Sequence, residues 1–448
     1  MKIHFIGIGG IGISALAQYC LKMGHSVSGS DLKCSEMTEK LKKLGIRVFE
    51  GHKPSNVPFD ADLVLITPAV DEKNPEYLEA RKRKIKIQTW EHALGEISKK
   101  HFTICVSGSH GKTTTTALIA LILQKAGLDP TVIVGTRLKE FKDSNFRFGK
   151  SRYLVIEADE YKKSFLHYYP KAVILTSLEY EHPDYFKNFQ QYLEAFKEYL
   201  KILNDGILVF NHDDSEVFRL QEQFPKVKAL GYSLKQKEAL KLKKILKIPG
   251  KHNVSNALAA LTMARILKIP DSVSFKAISS YKGAWRRFEV FNIKMNRKNV
   301  FLVSDYGHHP TQVNATISAA REKFLKKKIW VAFQAHQYLR TYYLFDDYLK
   351  AFDLADEIIL PEIYAVAGRE NKEVMRKLSS RHLVEALKKR FEKNKKDAKV
   401  HFLKDFNDIP EFLKNRIQNG DVLILMGAGD IYNLTASLTA SKRKKKIK

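Results

Sequence analysis

The stretch Gly108-Ser109-His110-Gly111-Lys112-Thr113-Thr114 stands between two apolar runs, residues 102–106 and 114–123. The first has the length and composition of a buried strand, and the second reads as a helix packed on it. Strand, glycine loop, Lys-Thr and helix together make a phosphate cradle. Glycines let backbone N–H groups approach phosphate oxygens, the helix N-terminus adds partial positive charge, and the lysine neutralises the outer phosphates. The hydroxyl of Thr113 is placed to hold Mg²⁺. The loop is shorter than the common phosphate-binding loop, because Val106 stands where its first glycine would be. The expectation is ATP bound through Gly108, Ser109, His110, Gly111, Lys112, Thr113 and Thr114. A plain tight turn ahead of a helix is the alternative.

Other polar groups also fall at the ends of apolar runs, where open parallel sheets collect their ligands. Residues 3–6 read as a strand, followed by Gly7-Ile8-Gly9-Gly10-Ile11-Gly12, a helix over 13–23 and a strand over 26–30 that delivers Asp31. This G-x-G-x-x-G spacing between strand and helix is a dinucleotide-type diphosphate site. Gly9, Gly10, Ile11 and Gly12 are its candidate contacts. Asp31 either binds a ribose hydroxyl or caps the next turn. Strand 153–156 runs into Glu157-Ala158-Asp159-Glu160, and strand 172–176 runs into residues 177–182, ending at His182. Hard Mg²⁺ prefers oxygen ligands and tolerates an imidazole. Thr113 and Glu157 are thus one candidate metal pair, with His182 for a second ion. The alternative is that Glu157 and Glu160 start and cap a helix.

Downstream, Pro249-Gly250 leads into a helix whose first turn carries His252, Asn253 and Asn256. Asn253 and Asn256, three apart, share a face, and an Asn amide matches the donor and acceptor of an adenine edge. They also read simply as polar caps. Arg286 and Arg287 suit phosphate clamping. Further strands are expected over 300–303, 329–333, 357–360 and 421–426. Their ends carry Asp305 and His308, then His336 and Arg340, then Tyr364, then Gly427-Ala428-Gly429-Asp430. Residues 392–399 read as a lysine-rich loop.

With 448 residues the chain exceeds one ordinary core and predicts about three domains. The expectation is an α/β protein. A Rossmann-like N-terminal domain spans 1–98, a central P-loop ATPase domain 99–286, and a Rossmann-like C-terminal domain 287–448 that ends in a basic tail. The formal charge of +28 raises the question of a polyanion partner. The lysines are dispersed along the chain and alternate with apolar residues, as on solvated helix faces. No zinc-finger or ribonucleoprotein signature accompanies them, so no nucleic-acid partner is expected. No apolar run reaches the roughly 18 residues that would cross a bilayer. The N-terminus runs directly into a strand, and Cys20, Cys34 and Cys105 lack metal-ligand spacing. A cytoplasmic protein with no membrane partner is expected.

In combination these motifs resemble the Mur ligases, ATP-dependent ligases of peptidoglycan precursor synthesis. The resemblance rests on Gly7–Gly12 with Asp31, Ser107–Thr115, Glu157–Glu160 and Gly250–Asn253. It extends to Asp305–Thr311, Phe333–His336 with Arg340-Thr341, and Met426–Asp430. It implies ATP and Mg²⁺ as cofactors, and UDP-N-acetylmuramate and L-alanine as substrates of a monomer or weak homodimer. Lys112, His182, His308 and Arg340 would be catalytic. Arg286 and Asp305 would complete the ATP site, and His308, His336, Arg340 and Tyr364 would line the amine pocket. His308 would be either a base or a positioning group. The family usually shows Pro-His-Arg where this chain has Ala335-His336-Gln337. Glu160-Tyr161 and the run Leu178–Asp184 lean instead toward a relative that attaches a recycled tripeptide. An NAD-dependent oxidoreductase would explain the first glycine loop but not the second.

Overall fold

The computed structural model describes residues 1–443; the last part of the basic tail lies outside them. Three sheets follow one another along the chain. The first contains β1 (Lys2–Ile6), β2 (Ser26–Asp31), β3 (Arg47–Glu50), β4 (Leu63–Ile66) and β5 (Lys86–Thr89), all parallel in the order β3-β2-β1-β4-β5. The second contains β6 (Phe102–Ser107), β7 (Thr131–Leu138), β8 (Ser144–Arg147), β9 (Tyr153–Glu157), β10 (Ala172–Leu175), β11 (Ile207–Asn211) and β12 (Lys228–Tyr232). Its order is β12-β11-β10-β6-β9-β7-β8, with only the β7–β8 pair antiparallel. The third contains β13 (Glu289–Met295), β14 (Lys298–Asp305), β15 (Ile329–Phe333), β16 (Glu357–Pro361), β17 (Lys399–Leu403) and β18 (Val422–Met426). Its order is β13-β14-β18-β15-β16-β17, with β13–β14 antiparallel.

The central strands are buried on both faces, which is why they read as continuous apolar runs; β10, β15, β16 and β18 are buried at every position. In the first two sheets the order reverses at the strands that carry the glycine motifs, β1 lying between β2 and β4 and β6 between β10 and β9, whereas β14 has its antiparallel hairpin partner β13 on one side and β18 on the other. Crevices at the carboxyl ends of such strands are where this architecture binds ligands.

The chain divides into two compact units. One contains 1–178, 193–245 and 255–281, and so holds the first two sheets; the other contains 179–192, 246–254 and 282–448. Within the first unit the two sheets are joined by a buried amide. Asn145 of β8 donates to the Ser14 hydroxyl at 3.0 Å and accepts from Gln18 Nε2 at 3.1 Å, both on the helix Ile11–Lys22. Among the described residues no helix is long and apolar enough to cross a membrane.

Several sequence expectations need correction. The helix after the phosphate loop begins at Lys112, so the lysine is itself in the first turn. β13 is an additional strand that pairs with β14 across Asn296 and Arg297, both at positive φ. Its exposed positions hide the alternation. The expected loop over 392–399 is shorter, because the helix Ser380–Lys393 takes one end of it and β17 the other.

Candidate active site

The loop after β6 is built on two glycines that no other residue can replace without a shift. Gly108 has φ +123°, and a Cβ there would lie 2.4 Å from Thr176 Oγ1. Gly111 has φ +84°, and its Cβ would lie 2.3 Å from Asn256 Oδ1. The loop is also tied to the end of β10. Ser109 N–H donates to the Ser177 carbonyl at 2.9 Å, and His110 N–H donates to Ser177 Oγ at 3.0 Å. Gly111 then starts the helix Lys112–Lys125, whose first turn leaves backbone N–H groups without partners inside the helix.

Lys112 Nζ donates to the Gly108 carbonyl at 2.5 Å and to Glu160 at 2.8 Å. Burial works against its charge, but Glu160, with Asp159 and Glu157, outweighs burial and raises its pKa. The ammonium is thus fixed as a cation beside the cradle. Thr113 donates to Glu157 at 2.9 and 3.1 Å, and Gly135 N–H donates to the same carboxylate at 2.8 Å. Glu157 is therefore not a helix cap. The short helix Tyr161–His167 that follows has Glu160 at its N-cap without a side-chain cap bond, and Asp159 accepts from Tyr161 N–H at 2.9 Å. A hydroxyl and a carboxylate side by side are the hard oxygen donors that suit Mg²⁺. Thr114 is buried in the same first turn.

In the first sheet, Gly7 and Ile8 donate their N–H groups to the Ser30 carbonyl at 2.8 and 2.9 Å. Asp31 accepts from Gly9 N–H at 2.8 Å, so it braces the glycine loop, while Ser35 caps the following helix. Gly10 is the extended cap of the helix that begins at Ile11. Gly12 serves packing, because a Cβ there would meet the Trp90 ring at 2.6 Å.

The second unit gathers a different cluster. Arg340 is buried and donates through Nε and Nη2 to Glu181 at 3.2 and 3.1 Å. Its Nη1 donates to His336 Nδ1 at 3.2 Å. Tyr364 stacks on His336 with centroids 5.4 Å apart and planes 10° apart, and the His308 and His336 rings are 5.8 Å apart. His308 Nε2 lies 3.9 Å from Glu181. Arg369 pairs with Asp184 at 2.6 Å. The four expected amine-pocket residues are thus brought together. Glu181, Asp184 and Arg369 were not singled out in the sequence as partners, because charge pairing across such separations leaves no local pattern. The Glu181 carboxyl stays far below the usual carboxylate range, since Arg340 and the neighbouring histidines overcome the burial that would raise it. Burial and Arg340 push His336 down to about 3 and His308 well below an ordinary imidazole. Both rings are neutral near pH 7.

The other expected site residues fall in both units. Asp305 is engaged within its own unit, accepting from Phe288 and Gly307 N–H groups at 2.8 and 2.7 Å, and burial raises its pKa. Arg286 donates to the Gly427 carbonyl at 2.6 Å, and its guanidinium lies 4.7 Å from the ring centroids of both Tyr306 and Tyr432. Both residues thereby brace strand-end loops. Asn253 donates to the Pro249 carbonyl at 2.6 Å, whereas Asn256 lies against Gly111 of the phosphate loop. His252 is exposed at the helix start. His182 belongs to the second unit, at φ +57°.

A phosphate loop between a parallel strand and a helix, following a glycine-rich βαβ sheet, defines a multidomain α/β nucleotide-binding protein. The chain belongs to the Mur ligase family. Three family models match in order: the Mur ligase family catalytic domain over residues 2–102, the middle domain over 106–264, and the glutamate ligase domain over 286–429. A curated UDP-N-acetylmuramate–L-alanine ligase of Clostridium acetobutylicum is 36% identical, with 97% of this chain and 96% of that protein aligned. The ligase of the same name from Acetivibrio thermocellus is 38% identical over 96% of this chain and 94% of its own length. The crystal structure of a UDP-N-acetylmuramate–alanine ligase from Thermotoga maritima covers 99% of this chain and 100% of its own, with a TM-score of 0.80 at 27% identity. A murein peptide ligase from Psychrobacter arcticus has the same fold, with a TM-score of 0.69 at 21% identity over 98% of both chains.

Proposed function

We propose that this chain joins L-alanine to the lactyl carboxylate of UDP-N-acetylmuramate at the expense of ATP, in peptidoglycan precursor synthesis. The observation that carries the reading is the phosphate loop with Lys112 held as a cation and Thr113 beside Glu157. The names of the full-length relatives support the choice of substrates.

In the reaction, the sugar-nucleotide carboxylate attacks the ATP γ-phosphorus, breaking the bond to the β–γ bridging oxygen and giving an acyl phosphate and ADP. The amine of L-alanine, having lost its ammonium proton, then adds to the acyl carbon. Collapse of the tetrahedral adduct releases inorganic phosphate and leaves the amide. Catalysis of such steps is mainly positioning and charge stabilisation. The first sheet would take the nucleotide sugar at Gly9–Ile11, braced by Asp31. The second would cradle ATP through Gly108–Thr114, with Asn256 beside the loop, and Lys112 would neutralise charge on the transferring phosphoryl. Thr113 and Glu157 would hold Mg²⁺, which when bound draws charge from the phosphate oxygens. The third would bind the amino acid through Arg340, His336, His308 and Tyr364. The low basicity of His308 favours a positioning role for it over that of a base.

Phosphate release from ATP and UDP-N-acetylmuramate, measured against a panel of amino acids and L-alanyl peptides, tests the reading. Release dependent on L-alanine is expected. Release with the tripeptide alone would make the chain a peptide-recycling ligase instead.

A further inference from the structure

Lysines that lie far apart in the sequence meet at the amino-terminal edge of the third sheet. Residues 321–328 lead into β15 and residues 388–398 into β17, and both segments are rich in lysine. Strand pairing sets their ends side by side, since Glu357 of β16 lies opposite both Trp330 of β15 and Lys399 of β17. Between them is a recess of about 410 Å³ whose lining holds Arg321, Lys326, Lys327, Lys328 and Lys399. Its carboxylates are fewer, and two are already used. Asp356 accepts from Arg321 at 2.8 Å and from Ile329 N–H at 2.7 Å. Glu357 accepts from Lys328 at 2.8 Å and from His401 at 2.7 Å. Asp397 is the third. Lys326, Lys327 and Lys399 form no ion pair among the described residues, so the recess keeps a surplus of positive charge.

Two apolar side chains stand out beside these cations. Leu325 is 75% exposed next to Lys326, and Leu354, whose carbonyl accepts from Arg321 at 2.7 Å, is 42% exposed. The cationic edge also extends along the sheet. Lys327 Nζ lies against Gly420, whose N–H donates to the Asn299 carbonyl at 2.7 Å, and Arg297 is exposed at the turn before Lys298. From β14 to β17 is four strand spacings, roughly 19 Å. The basic tail heads for the same edge. On the helix Tyr432–Arg443, Tyr432 meets Arg286, which also lies against Tyr306 just past β14, and Thr435 meets Ser304 within β14 at 3.2 Å. The helix therefore runs toward the amino end of β14, and Arg443 lies about 12 Å beyond Thr435. The sequence continues from there with Lys444-Lys445-Lys446-Ile447-Lys448.

A free anion would engage the lysines and leave both leucines in water, whereas a bilayer surface takes both. We propose that this edge docks the unit holding the third sheet on an anionic lipid bilayer, with a lipid phosphate in the recess at Lys326, Lys327 and Lys399 and Leu325 among the headgroups. Each cation held near such a surface adds to the attraction, and an inserted leucine adds apolar burial. Docking leaves the amine pocket open, because His308, His336 and Tyr364 follow the opposite, carboxyl ends of β14, β15 and β16. The spread of the lysines along the sequence hides this edge, since only strand pairing gathers them.

Co-sedimentation of the full chain with vesicles tests this, using phosphatidylcholine alone or with about 30% phosphatidylglycerol, at low salt and at about 0.5 M salt. Binding is expected only to the anionic vesicles and only at low salt. Lys326→Glu, Lys327→Glu and Lys399→Glu together should weaken it at least tenfold, and Leu325→Ser about threefold. The triple variant should keep its unfolding midpoint and its phosphate release. A control with the same change of charge elsewhere, Lys22→Glu, Lys82→Glu and Lys84→Glu, should still bind. Removal of residues 444–448 should weaken binding without abolishing it. The wild-type comparison of the two vesicles stands even if a variant is unstable. No binding by wild type, equal binding by the triple variant, or an equal loss in the control overturns the docking edge. So does loss of all binding with the tail alone, displacement by inorganic phosphate at constant ionic strength, or a preference of the same three lysines for a duplex oligonucleotide.

Discussion

At the scale of the residue, the two candidate sites share one device, a cation held by a buried carboxylate. Lys112 has Glu160, and Arg340 has Glu181. Their expected roles separate under substitution. Lys112→Ala should cut ADP formation by about three orders of magnitude, since it removes the charge nearest the transferring phosphoryl. Near-normal turnover by a folded variant would sink the assignment of the loop. Arg340→Ala leaves Glu181 buried without its counter-charge, which should destabilise the protein by about 3–5 kcal/mol. Adding Glu181→Gln should recover most of that loss in the unfolding midpoint. It should not recover the amino-acid KM, which rises if Arg340 holds the substrate carboxylate. A double variant with wild-type KM would make the pair purely structural.

At the scale of the element, the phosphate loop shows what local sequence can specify. Two glycines at positive φ, a lysine in the first helical turn and an apolar strand are all features of neighbouring residues, so the loop was legible. Gly111→Ala should therefore fail twice, through a left-handed backbone and through collision with Asn256. Nucleotide affinity measured by calorimetry is expected to fall at least tenfold, while UDP binding at the first sheet persists. Unchanged ATP affinity would mean that the loop does not close on phosphate. What depends on distant pairing was less legible. The Glu181–Arg340 contact joins residues 159 apart, and β13 has exposed polar positions that only its partner β14 makes intelligible. Asp31 had two local readings, and the bond it makes, to Gly9 N–H, is set by how β2 lies beside β1.

At the scale of the whole molecule, a formal charge of +28 meets a cluster of neutral, partly buried histidines, and both oppose folding in acid. His336 is held near 3 by burial first and then by Arg340, whose Nη1 already donates to its Nδ1. In the unfolded chain the same imidazole titrates near 6.5. Between those values the unfolded state binds the extra proton, so stability rises with pH across this window. The contribution is complete above about 6.5 and is lost as pH falls toward 3. His308, shifted in the same direction, adds to the effect. The slope is up to about 1.4 kcal/mol per pH unit for each proton. Self-repulsion of the cationic surface acts in the same direction as carboxylates protonate, but salt screens exposed charges far more than buried ones. Unfolding midpoints should therefore fall from about pH 6.5 downward even at 0.5 M salt, and His336→Gln should flatten that slope. If salt alone abolishes the pH dependence, or if the variant leaves it unchanged, surface charge and not the buried imidazole sets the acid limit of this protein.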